Sequence, residues 1–163
     1  MMRKHKYPAF KTIILTTVIV FFSSFVYNTK ADVELIWKAE ILPTGKLKKG
    51  DTAWIVLQTD IPKGFHSYSN ECTVDDGPIL TQLIFEKKKK KKYKLIGNDI
   101  IEGDKEEVYE EVFKAKFTKI KGHMLVKRKF KVNTKIIKFK VMTQVCDENV
   151  CVLKEKDFEL KVY

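Results

Sequence analysis

The stretch "QVCDENVC", Gln144 to Cys151, sets two cysteines with four residues between them inside strand-like sequence. Three kinds of chemistry fit such a pair: a structural bridge, half of a metal site, or a dithiol that exchanges with other disulfides. If "DENV" is the loop of a β-hairpin, Cys146 and Cys151 face each other across its base. Opposed residues of a hydrogen-bonded pair have Cα atoms ~5.5 Å apart, within the reach of a disulfide. A bridge closing so short a loop removes little unfolded-state entropy, which weakens the case for a staple. Strained or exposed bridges are the labile kind, suited to exchange. Asp147 and Glu148 follow Cys146 directly, and nearby carboxylates disfavour a thiolate. That leans towards a reductant, with Lys154 and Lys156 acting the other way.

The competing chemistries find less support. Structural zinc sites add a second ligand pair at similar spacing, whereas His66, Cys72 and His123 are scattered. No metal and no cofactor are expected. No G-x-S-x-G or Cys-His-Asn pattern for nucleophilic hydrolysis is present, nor the C-x-x-C of a thioredoxin-like domain. Cys72 leaves an odd cysteine count and is expected as a buried or loop thiol.

The elements that must position the pair alternate with a period of two. "VELIWKAEI" and "TAWIVLQTDI" are strand candidates on either side of the turn-like "LPTGKLKKGD". "FHSYS", "TQLIFE" and "YKLIG" are shorter candidates. "EVFKAKF" sends Phe113, Ala115 and Phe117 to one side, and "LVKRKFKV" does the same with Val126, Phe130 and Val132. "IIKFKVMTQV" and "DFELKV" complete a set of eight or nine short strands. Such spacing predicts an all-β antiparallel sandwich. The run Lys87 to Lys92 falls where a hairpin connection is expected, and six like charges favour a solvated turn. A patch for acidic lipid or an acidic partner is the other reading of that run.

Ahead of the strands, Arg3, Lys4, Lys6 and Lys11 precede the apolar "IILTTVIVFF", Ile13 to Phe22, and small residues stand at Thr29 and Ala31. This fits a signal peptide over residues 1–31, cleaved after Ala31, with an uncleaved membrane anchor as the alternative. The domain is then residues 32–163, exported to a compartment where disulfides persist. Cleavage takes Arg3, Lys4, Lys6, Lys11, Lys30 and no acid, lowering the net charge from +11 to +6. The remaining lysines are dispersed along strand faces, with no arginine cluster and interleaved aromatics of the kind that bind nucleic acid. No nucleic-acid partner is expected.

Several segments together resemble one family. "GFHSYS" (Gly64 to Ser69), "DGPI" (Asp76 to Ile79) and "QVCDENVC" stand in an order and spacing similar to the N-terminal domain of the bacterial thiol:disulfide interchange protein DsbD. The resemblance runs from about Val33 to Tyr163. It implies an immunoglobulin-like β-sandwich in the periplasm and a reactive cysteine pair on a hairpin. Cys151 would be the partner-facing nucleophile and Cys146 the resolving cysteine. Electrons would come from a thioredoxin-like or transmembrane thiol donor. They would go to oxidised envelope disulfide isomerases or cytochrome c maturation proteins. "DKEEVYEEVF" matches the place of the family's cap loop, making Val108 and Tyr109 the expected cap and His66 and Tyr68 expected site-lining residues. An ordinary packed His and Tyr would read the same way.

Two departures stand out. Relatives commonly have C-L-P-P after the second cysteine, and this chain has "CVLK". Residues 1–163 also hold neither the membrane-embedded nor the thioredoxin-like part of DsbD, so the donor is expected on a separate polypeptide. Against the electron-relay reading stands a non-catalytic binding module of the same fold, with Cys146–Cys151 as an inert clip.

Overall fold

The computed structural model describes residues 33–72, 77–86 and 93–163. The expected signal peptide, the Lys87–Lys92 run and Asp76 of "DGPI" lie outside the described residues. Eight strands make up the described chain: β1 (Lys38–Leu42), β2 (Thr52–Asp60), β3 (His66–Tyr68), β4 (Gln82–Ile84), β5 (Leu95–Glu110), β6 (Ala115–Lys131), β7 (Ile136–Cys146) and β8 (Cys151–Lys161). All pair antiparallel in one curled sheet ordered β1-β2-β6-β3-β7-β4, with β5 also on β6 and β8 also on β7. The all-β antiparallel reading of the alternation is correct.

Alternation also says where the core is. Ala53, Ile55, Leu57 and Thr59 of β2 share a buried face with Met124, Val126 and Phe130 of β6. Across the sandwich, Ile137, Phe139, Val141, Thr143 and Val145 of β7 supply the facing layer. Val33, Leu35 and Trp37 alternate into the same core ahead of β1, although the chain there is not a regular strand. Two layers, β1-β2-β6-β5 and β4-β7-β8, enclose this core. The three-residue β3 joins them, pairing with β6 through Ser67 and Tyr68 and with β7 through His66 and Ser67.

Two elements differ from the sequence expectation. "YKLIG" and the acidic segment after it merge into the 16-residue β5, and "KAKF" and "LVKRKFKV" merge into the 17-residue β6. Glycines make this possible. Register shifts fall between Ile96 and Ile100 and between Gly103 and Asp104. A Cβ on Gly103 would stand 2.5 Å from the His123 carbonyl oxygen, so only glycine lets β5 and β6 approach there. The second difference is the "EVF" of "EVFKAKF". It is a turn from Glu111 to Lys114 rather than a strand, and Lys114 takes a positive φ of 50°.

Candidate functional site

Cys146 ends β7, Cys151 begins β8, and the two are directly opposed and bonded as a disulfide. The Asp147 amide donates to the Val150 carbonyl at 3.0 Å, closing the hairpin one step beyond the cysteines. Hydrogen-bonded and non-hydrogen-bonded pairs alternate along an antiparallel ladder, so the cysteine rung is of the closer kind, typically ~4.5 Å between Cα atoms. The observed separation is 4.0 Å, in place of the wider pair expected from sequence. Asp147 Oδ1 accepts from the Asn149 and Val150 amides, each at 2.7 Å. These backbone donors hold its carboxyl below the usual range, so a fixed negative charge stands beside the pair.

The disulfide lies on the sheet face opposite the main core, because Val145 and Thr143 point inward and Cys146 therefore points out. It is nevertheless enclosed. Cys146 is 1% exposed within a second, small apolar cluster with Tyr68 and Phe117. Val108, Phe113, Ala115, Leu80 and Cys72 pack around that cluster. Phe117 meets Tyr68 and Phe113 edge-on, with centroids 5.8 and 5.6 Å apart. Cys151, by contrast, is exposed. The two sulfur atoms of one bond thus belong to different environments, one packed and one open to solvent.

β3 places the two polar aromatics. His66 is directly across from Cys146 in the β3–β7 register, and Tyr68 lies two residues on, on the same face. The Tyr68 hydroxyl donates to Glu110 Oε1 at 3.3 Å, and His66 Nε2 is 3.2 Å from the same hydroxyl oxygen. With the phenolic hydrogen committed to Glu110, the His66 Nε2–H must be the donor to Tyr68, which leaves Nδ1 as an acceptor. Burial, then the Lys119 ammonium, lower the His66 pKa, favouring neutral imidazole. Burial and the Glu110 carboxylate push the Tyr68 phenol up to about 12. Lys119 pairs with Glu110 at 2.7 Å and closes the network.

Around the disulfide these groups line an open groove of about 850 Å³. His66, Tyr68 and Val108 are on its wall, together with Phe65, Phe113 and Val112, the last 86% exposed at the β5–β6 turn. Tyr109 is not among the lining residues. It is 54% exposed, since neighbours on a strand face opposite sides and Val108 faces the groove. Sequence reading missed Phe113, Val112, Glu110 and Lys119 as site residues; their role depends on where the β5–β6 turn falls. Among the described residues, no group of three or more His, Cys, Asp or Glu is arranged to hold a metal.

The segments that carried the resemblance meet here physically. Gln144, before Cys146, accepts the Ile79 amide at 2.5 Å, tying "DGPI" to "QVC". Ser67, between His66 and Tyr68, forms a buried hydroxyl cluster with Thr81 and Thr143 behind the disulfide. Ser67 lies 3.0 Å from Thr81, Thr81 lies 2.7 Å from Thr143, and Ser67 also bonds Thr143.

Residues 38–162 match the family described as thiol:disulfide interchange protein DsbD, N-terminal. Among solved structures, the chain is similar to the N-terminal periplasmic domain of ScsB from Proteus mirabilis, at 13% identity and a TM-score of 0.51. That match covers 77% of this chain and 44% of the other, so this chain spans less than half of the ScsB structure. It is also similar to the reduced DsbD N-terminal domain of Neisseria meningitidis, at 17% identity and a TM-score of 0.46, covering 69% of this chain and 77% of that one. No curated protein matches.

Proposed function

The chain belongs to the family of N-terminal domains of the thiol:disulfide interchange protein DsbD, and from that premise we propose that Cys146 and Cys151 are a working dithiol that relays electrons between proteins. The observation that carries the reading is the split exposure of the two opposed cysteines, Cys151 open and Cys146 packed.

In the reduced state the exposed Cys151 thiolate attacks one sulfur of a partner disulfide and forms a mixed disulfide. The displaced partner sulfur leaves as a thiolate and takes up a proton. Cys146 then attacks Cys151 Sγ, closing the intramolecular bridge and releasing the second partner thiol. Two electrons pass to the partner, and the domain is oxidised by the same two. His66, neutral and with Nδ1 free to accept, stands across from Cys146 and is suited to receive its thiol proton during resolution. Val108 and Phe113 cover the packed side of the bond. Tyr109 faces outward, where only a rearranged turn would bring it to the disulfide.

A periplasmic location after removal of residues 1–31 belongs to the same proposal and suits a redox-active bridge. The donor is then a thioredoxin-like or transmembrane thiol protein. The acceptors are oxidised envelope proteins such as disulfide isomerases or cytochrome c maturation factors.

Single-cysteine trapping tests the assignment. Cys146→Ser, incubated with an oxidised thioredoxin-fold protein, should accumulate a stable mixed disulfide through Cys151. Cys151→Ser should accumulate little. Reversed yields would exchange the two roles, and no adduct with either variant would favour the inert clip of a binding module.

A further inference from the structure

The pole of the sandwich remote from the disulfide is built from the β1–β2 connection, the start of β5, the β6–β7 connection and the end of β8. Backbone bonds hold it together: Gly50 to the Val132 carbonyl at 2.8 Å, Lys131 to that of Lys94 at 3.1 Å, and Val162 to that of Lys135 at 2.8 Å. Along β6, this pole lies about 40 Å from the site at a strand rise of ~3.4 Å per residue.

The two poles differ in how their charges are arranged. Near the disulfide, Lys119, Lys121 and Lys105 are paired with Glu110, Glu106 and Glu71, and the groove sets Lys63 beside the carboxylates of Asp147 and Glu148. The far pole carries Lys46, Lys48, Lys49, Lys94, Lys131 and Lys135, and none of these forms an ion pair among the described residues. The carboxylates there are fewer. Asp51 is engaged by the Lys48 amide at 2.7 Å, Glu159 is paired with Lys138 at 2.5 Å, and Glu86 also has a partner. Between the lysines stand exposed apolar and aromatic side chains. Ile96 shares a rung with Lys129, Ile136 shares one with Lys161, and Tyr163 follows β8.

We propose that this pole docks the protein on an anionic bilayer surface and leaves the disulfide pole turned to the water. The charges are lysines, hydrated point charges spread over two connections and the ends of β5 and β6, rather than the arginine forks that read fixed carboxylates in a protein partner. An anionic lipid surface accepts such a dispersed set without needing a matching geometry, and each lysine near it strengthens binding about fivefold, ~1 kcal/mol. Isoleucine and tyrosine between lysines match what sits at headgroup depth. The groove at the disulfide pole sets Lys63, Lys119 and Lys121 against Glu106, Glu110, Asp147 and Glu148, which gives an anionic surface no comparable attraction.

The test uses the full chain with its disulfide intact, sedimented with phosphatidylcholine vesicles with and without phosphatidylglycerol. Residues 1–31 can bind lipid themselves, so the readout is the difference between wild type and K48Q/K49Q/K131Q/K135Q on each vesicle. The expected result is at least tenfold weaker binding of the variant to phosphatidylglycerol vesicles at low salt, with no difference on phosphatidylcholine. High salt should abolish the gap. Bound wild type should still be reduced by a soluble dithiol at its free rate. Equal binding of the two proteins to phosphatidylglycerol vesicles would overturn the proposal. So would binding of wild type alone to polyglutamate with no preference for phosphatidylglycerol, which would assign the pole to an acidic polypeptide. Slowed reduction on vesicles would overturn the orientation.

Discussion

The described residues form two apolar clusters on opposite faces of the same strands, and these differ in size and enclosure. The main core gathers residues from both layers, with Phe130, Ile55, Leu57, Ile137 and Val145 fully buried. The cluster at the disulfide has three buried members, Tyr68, Phe117 and Cys146, under a partly exposed cover. One strand serves both: in β7, Val145 belongs to the core and Cys146 to the site. The difference implies a division of labour, in which folding free energy resides in the large cluster and access to the disulfide is set by the small one. A small, half-open cluster can be parted without disturbing the sandwich.

Substitutions can break that comparison. Phe130→Ala removes a side chain with 0% exposure from the main core and should cost ~3–5 kcal/mol of stability. Denaturant unfolding would show it, while the folded fraction should keep its normal rate of disulfide reduction. Phe117→Ala should fall at the low end of that range, ~3 kcal/mol, because the groove side can relax into the space. Its larger effect should be on chemistry: Cys146 loses its cover, and reduction by a small dithiol should accelerate. If Phe117→Ala unfolded the protein as readily as Phe130→Ala, the two clusters would be one cooperative unit.

A pH titration sharpens the contrast at smaller scale. The Lys119 ammonium, with help from the Tyr68 hydroxyl, holds the Glu110 carboxyl below its ordinary 4.5. A depressed carboxylate contributes stability that is present above pH 4.5 and lost as pH falls through its lowered value. Asp99 is the opposite case. Burial raises its pKa despite the Arg128 guanidinium at 3.1 Å, so its contribution is present below its ordinary 3.8 and declines as pH rises through the raised value. Glu110→Gln should therefore flatten the acid limb of the stability profile by no more than ~1 kcal/mol, as expected of a partly exposed pair. An unchanged acid limb would mean that the Glu110–Lys119 pair contributes nothing.

Much of this was legible in the sequence where a local pattern decides the outcome. Alternation put Val126, Phe130 and Val132 on one side, and all three are buried in the core; the cysteine spacing placed the two residues across a hairpin base. The motifs of the resemblance converge because Gln144, Ser67 and Ile79 are bonded around the disulfide. What was not legible depended on pairing between distant segments. The alternation showed only short segments where β5 and β6 run long, because it is Gly103 that lets the two strands approach at the His123 carbonyl. Val112 and Phe113 read as strand residues but form the turn, which brings both to the groove.

The central claim is that Cys146–Cys151 exchanges electrons with other proteins, and its reduction potential tests this most directly. Equilibration of the purified protein against glutathione should place the couple between about −270 and −180 mV, the range from thioredoxin to protein disulfide isomerase. A potential below about −300 mV, typical of structural bridges, would contradict the account and leave the disulfide as a clip on a binding module.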